Sequence, residues 1–128
     1  MGKRSRRRAA GSGGAPRKLT APTSEYTDAD GATLTLRGAL TVAARREYAD
    51  ALAGVGNRAS TTREDAWQRA VELLFERLAV SWTIAGAPIA GQRELLARYR
   101  AASQPERAWI REVLREHCAE SFPDVQAP

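Results

Sequence analysis

The sequence predicts a mainly α-helical fold: a small bundle of about four helices, with a short β-hairpin and a disordered basic tail ahead of it. Three observations predict it. Apolar residues recur at helical spacing across 62–83. Two Ser/Thr-led capping boxes mark helix starts. Residues 1–24 are made largely of Gly, Ala, Ser, Pro, Arg and Lys and hold little that could be buried. The domain organisation that follows is a disordered tail over 1–24, a helical domain with its hairpin over 25–123, and a flexible C-terminus over 124–128.

The hairpin is predicted from turn chemistry. Ser24-Glu25-Tyr26-Thr27 is a short extended run, and Asp28-Ala29-Asp30-Gly31 is a turn signal. Thr33 to Arg37 alternates, with Leu34 and Leu36 on one face. Two strands alone are barely stable in water, so either the helices cover this hairpin or another protein extends it. Thr41 caps a first helix over about 42–53, with Ala44, Tyr48, Ala51 and Leu52 as its apolar arc and Gly54 at its end.

The second helix is expected over about 62–83, opened by a box at Thr61-Thr62-Arg63-Glu64. Trp67, Val71, Leu74, Leu78 and Trp82 share a stripe, with Phe75 beside them, and Ala66, Ala70, Leu73 and Val80 make a second one. Apolar on most sides, it reads as the central helix. Residues 83–91 read as a connection broken by Gly86, Pro88 and Gly91, with Ile84 and Ile89 unusually apolar for a loop. A third helix over about 92–102 presents Leu95, Leu96 and Tyr99. Ser103-Gln104-Pro105-Glu106 opens a fourth, running to about 120, whose inner face is Trp109, Ile110, Val113, Leu114 and His117. No internal repeat is visible.

The chain of 128 residues has room for one domain, and the net charge of +5 is not spread over it. Lys3, Arg4, Arg6, Arg7, Arg8, Arg17 and Lys18 place seven positive charges in the tail, with no acid before Glu25. The remaining 13 basic residues face 15 acidic ones, a balance of −2. A fold that grips nucleic acid with its own surface would carry the excess itself. Cys118 is the single cysteine, so no intramolecular disulfide forms, in keeping with a reducing cytoplasm. No segment approaches the ~20 apolar residues of a membrane span, and the basic start lacks the apolar run of a signal peptide.

Chemical candidates each have a plainer structural explanation. His117 falls within the apolar arc of the fourth helix, where a satisfied core-boundary histidine is favoured over a catalytic one. His117 and Cys118 are too few for a structural zinc site, and adjacent helix positions diverge by about 100°, so the thiol lacks a base. Glu72 and Glu76 lie on the polar arc of the second helix. Arg107, Arg111 and Arg115 run beside Glu112, Glu116 and Glu120, so their fields largely cancel. Gly11 to Gly14 neither follows a strand nor opens a helix, so no phosphate-binding loop is read there. No catalytic residue, cofactor or metal is predicted, and the chain is expected not to be an enzyme. The tryptophans default to core. Trp82, beside the apolar 84–89 segment, is the one expected to be partly available. Trp82, Ile84, Pro88, Ile89 and Tyr99 are therefore the candidate partner-binding residues, and Trp67 is assigned to the core.

A Thr-Leu-Thr-Leu-Arg segment leads into a Thr-capped helix ending in Tyr-Ala-Asp-Ala-Leu. Then come Glu-Asp-Ala-Trp-Gln-Arg-Ala-Val-Glu-Leu-Leu-Phe-Glu-Arg-Leu (64–78), Ser-Trp-Thr-Ile-Ala-Gly-Ala-Pro-Ile (81–89), Glu-Leu-Leu-Ala-Arg-Tyr-Arg (94–100) and a final Arg-Glu-Val-Leu-Arg-Glu-His helix. Over about 26–123 this order of segments resembles the tail assembly chaperones of long-tailed phages and prophages, particularly those of actinobacterial hosts. The resemblance implies a non-enzymatic protein of the bacterial host cytoplasm. Such a protein coats the tape-measure protein, recruits tail-tube subunits and is absent from the finished particle. It implies a protein client, leaves room for an oligomer, and carries over no functional residue. The basic tail is not required by it. Two other classes stand beside it: a small nucleic-acid-binding protein using Lys3 to Lys18 as a weak nonspecific arm, and a structural component of a phage tail or injection particle.

Overall fold

The computed structural model describes residues 22–54, 62–125 and 127. Its elements, in chain order, are β1 (Thr23–Thr27), β2 (Thr33–Arg37), α1 (Val42–Ala53), α2 (Arg63–Leu78), β3 (Ala79–Ile84), β4 (Ala87–Ile89), α3 (Gln92–Arg100) and α4 (Gln104–Ser121). The four strands form one antiparallel sheet in the order β1-β2-β3-β4. The fold is therefore mixed α/β, and the expectation of a mainly α bundle with a lone hairpin is corrected.

The helix starts follow from their caps. Thr41 Oγ1 accepts the Ala44 N–H at 3.0 Å, and Gly54 closes α1 at φ 80°. Ser103 and Glu106 form the expected box at the head of α4. At α2 the box is Thr62 with Asp65, one residue beyond the expected pair. The larger correction is at the other end. α2 stops at Leu78, and Ala79 turns extended at φ −69°, ψ 127°. Residues 79–84, expected as the last turn of a helix, form a strand instead. Val80, Thr83 and Ile84 are β-branched and suit a strand, and a tight two-residue turn follows, with Ala85 and Gly86 both at positive φ. The predicted 83–91 loop is thus a β3–β4 hairpin.

Register fixes what points inward. Leu34 sits opposite Trp82 and Leu36 opposite Ala79, with Val80 taken up by a bulge between them. Leu34, Leu36 and Trp82 meet Leu74, Phe75, Leu78, Leu95, Ile110 and Leu114 in one core. Phe75 lies at its centre, edge-on to Trp82 at 6.2 Å and stacked on Tyr99 at 4.9 Å. The boundaries also shift. Thr23 and Ser24 are strand residues, so the fold begins before Glu25. Beyond 123, Asp124 pairs with Arg45, and Val125 packs on the core.

Candidate functional site

The sheet has two faces of opposite character. Tyr26, Leu34, Leu36, Ala79, Trp82, Ile84 and Ile89 pack into or against the core. The residues alternating with them, Thr23, Glu25, Thr27, Thr33, Thr35, Ser81 and Thr83, lie exposed or half-buried on the other face. The strict alternation of a half-buried strand produces this division. Threonine is the residue that combines β-branched stiffness with a polar end, which is why it recurs on a wet sheet surface.

A buried brace holds the β1 side of this sheet. His117 on α4 is fully buried. Its Nε2 lies 2.6 Å from the Arg37 carbonyl, and its Nδ1 lies 2.9 Å from the Tyr26 hydroxyl. A carbonyl only accepts, so Nε2–H donates. In the neutral ring Nδ1 then accepts from Tyr26, a tautomer assigned by the network. Both ring nitrogens are thereby occupied, and the ring stands edge-on to Tyr26 and to Phe122. Burial, then the Glu120 and Glu116 carboxylates, push the Tyr26 hydroxyl above its ordinary pKa. Cys118, next in sequence, is 1% exposed, and burial pushes its thiol up to about 11. It is a protonated core side chain at neutral pH.

The fold brings Trp82, Ile84, Pro88 and Ile89 of the proposed partner-binding set together on one hairpin but covers most of the set. Trp82 is 1% exposed and Tyr99 6%, so both belong to the core. Ile84 and Ile89 are half-buried against it, and Pro88 alone is exposed. The expectation that Trp82 is partly available is corrected: at an inward strand position, between Leu34 and Ile89, its ring is covered. Trp67, expected as core, is half-buried with the Arg111 guanidinium over its ring at 5.1 Å. Lys3, Arg4, Arg6, Arg7, Arg8, Arg17 and Lys18 lie outside the described residues.

Neither known family models, nor curated proteins, nor solved structures give a match to this chain.

Several charged groups among the described residues pair across the surface. Glu72 takes Arg100 at 3.0 Å rather than forming a carboxylate pair with Glu76. Glu106 is held below the usual carboxylate range, chiefly by Arg98 and then by the Ser103 N–H. Arg77 reaches Glu47 at 3.1 Å in a groove of about 390 Å³ beside Arg37 and Leu40. Among the described residues no group of three His, Cys, Asp or Glu side chains is placed to hold a metal, and no helix is long and apolar enough to cross a membrane. Sequence reading missed the arginine roofs. Arg107 and Arg111, expected as part of a solvated stripe, lie over Tyr99 and Trp67. The signal was available in principle, since both follow the inner face of α4 by a quarter turn.

Proposed function

We propose that this protein is a phage or prophage tail assembly chaperone: it binds a tape-measure protein and helps bring tail-tube subunits to it. The order of segments in 26–123 suggests the family. The observation that carries a binding role is the open sheet face, with Thr33, Thr35, Ser81 and Thr83 at its middle and helices gathered on the opposite side. Such a face offers β-branched methyls beside hydroxyls, so a protein client that covers it must supply hydrogen-bond partners to the Thr and Ser side chains. The brace of His117 and the burial of Cys118 leave these two side chains in structural roles.

The experiment is co-expression of the full chain with a tape-measure protein of a long-tailed phage, followed by affinity capture. The two proteins are expected to elute together. A double variant, Thr35→Arg with Thr83→Arg, is expected to keep its melting temperature and lose at least about tenfold in affinity, roughly 1.4 kcal/mol. Failure of the native chain to capture the client contradicts the proposal.

The seven positive charges of 1–18 favour a second reading, nonspecific nucleic-acid binding through the arm. Its signature is salt. If all seven charges neutralise phosphates, log K falls with log salt at a slope of about −6 on duplex DNA. Gel shifts at several salt concentrations, with Arg6, Arg7 and Arg8 changed to Ser, are expected to show a weak shift that disappears in the variant. Sequence-selective binding that survives the change would point instead to the folded body.

A further inference from the structure

The groove between the end of β2, the start of α1 and the end of α2 holds an unbalanced charge. It encloses about 390 Å³. Leu40 and Ala43 give it an apolar wall, and two guanidiniums, Arg37 and Arg77, line it against a single carboxylate, Glu47. Arg77 already holds Glu47 at 3.1 Å, and its Nε is buried with no hydrogen-bond partner among the described residues.

Arg37 is satisfied still less. Among the described residues its guanidinium makes one hydrogen bond, donating from Nη1 to the Arg77 carbonyl at 3.2 Å. A guanidinium offers five N–H donors in a planar fork, so most of them are left without a partner. The source of a missing carboxylate is narrowed by the sequence. All 15 acidic residues lie between Glu25 and Asp124, among the described residues, and none forms an ion pair with Arg37. Glu47 is taken by Arg77, and Glu25 lies diagonal to Arg37 across β1 without reaching it. Arg37 is also well anchored. Its carbonyl accepts from His117 Nε2 at 2.6 Å, and its side chain is tied to the end of α2. It follows Thr33 and Thr35 on the same side of β2, so the groove continues the open face of the sheet.

We propose that this groove takes an acidic side chain of a protein partner, an Asp or Glu flanked by apolar residues, with its carboxylate on the Arg37 fork and an apolar neighbour against Leu40 and Ala43. One added carboxylate brings the two guanidiniums and Glu47 to balance. Arginine is suited to this because two parallel N–H bonds match the two oxygens of a carboxylate. The apolar wall selects a peptide segment over a small hydrated anion, since only the segment brings apolar surface to cover it. The inference fixes the chemistry of the bound segment and stands whichever protein supplies it, so it does not rest on the tape-measure reading.

NMR titration of the full chain with the peptide acetyl-Leu-Glu-Leu-amide tests this. Saturable shifts are expected at the Arg37 Nε–H and at the Leu40 and Ala43 amides, weaker at about 0.5 M salt, where exposed charges are screened. The matching peptide with Gln in place of Glu is expected to bind at least about tenfold more weakly. Arg37→Gln keeps the backbone carbonyl that His117 uses, and is expected to fold and to lose at least about tenfold in affinity for the Glu peptide. Arg115→Gln removes an exposed arginine of α4 and is expected to change nothing. Absence of saturable shifts at these signals overturns the proposal, as does equal affinity for the two peptides. Unchanged binding in a folded Arg37→Gln variant, or an equal loss in Arg115→Gln, also overturns it. So does a native dimer in sedimentation equilibrium that Arg37→Gln dissociates, which would place a second copy in the groove.

Discussion

Arg98 lies over the Trp82 ring at 4.9 Å while the same guanidinium holds Glu106 at 2.7 Å. Arg45 over Phe122, Arg107 over Tyr99 and Arg111 over Trp67 repeat the first half of this arrangement. A small domain buries a small share of its surface, and here arginine side chains complete the cover over its aromatic rings. The roles of two tryptophans follow. Trp82→Ala empties a fully buried site between Leu34, Phe75 and Ile89 and is expected to cost about 3–5 kcal/mol. Domains of this size hold roughly 5–15 kcal/mol in all. Trp67→Ala removes a half-buried ring and one cation–π contact, at about 1–2 kcal/mol. Thermal melts of both variants check the order; a larger loss at Trp67 would place the core elsewhere. Trp82 was legible as inward-facing, because it continues the spacing of Leu78 as a helix and also takes an inward strand position. Its cover was not legible, because that depends on pairing with β2.

The β3–β4 hairpin is the element the periodicity concealed. A stripe spaced for a helix ran from Trp67 to Trp82, and nothing in the spacing marks the change at Ala79. The marks are local: β-branched Val80, Thr83 and Ile84, then Ala-Gly. Both turn residues carry positive φ, 52° at Ala85 and 82° at Gly86. Glycine adopts this at no steric cost, but alanine in the left-handed region costs about 1–2 kcal/mol. Asn-Gly is the preferred pair for such a turn. Ala85→Asn is therefore expected to stabilise the protein by about 0.5–1 kcal/mol, read as a raised midpoint in urea with an unchanged slope. A loss of stability would mean that the turn is not built on positive φ. The helices were more legible: α1 and α4 lie close to their expected bounds because Thr41 and Ser103 supply side-chain caps and Gly54 a left-handed stop. At α2 two adjacent threonines left the cap ambiguous by one residue.

Over the whole molecule, the element order runs strand-strand-helix-helix twice, and the second pair of strands extends the first. That answers what covers the lone hairpin expected from the sequence: the chain itself extends it on one edge, and the helices cover one face. The other face remains as surface, and the proposed client is assigned to it. No sequence signal marked the open face as a site, since alternating threonines are equally the mark of an ordinary wet strand. Charge is also unevenly placed along the sequence, with seven basic residues and no acid in 1–18 and a slightly acidic balance after it. The most direct measurement is isothermal titration calorimetry of the full chain against the purified tape-measure protein, with the Thr35→Arg, Thr83→Arg variant alongside. Saturable binding by the native chain, weakened at least about tenfold in a variant that melts normally, is the expected result. No heat of binding to the native chain, or equal affinity in both, would contradict a client held on the open face of the sheet.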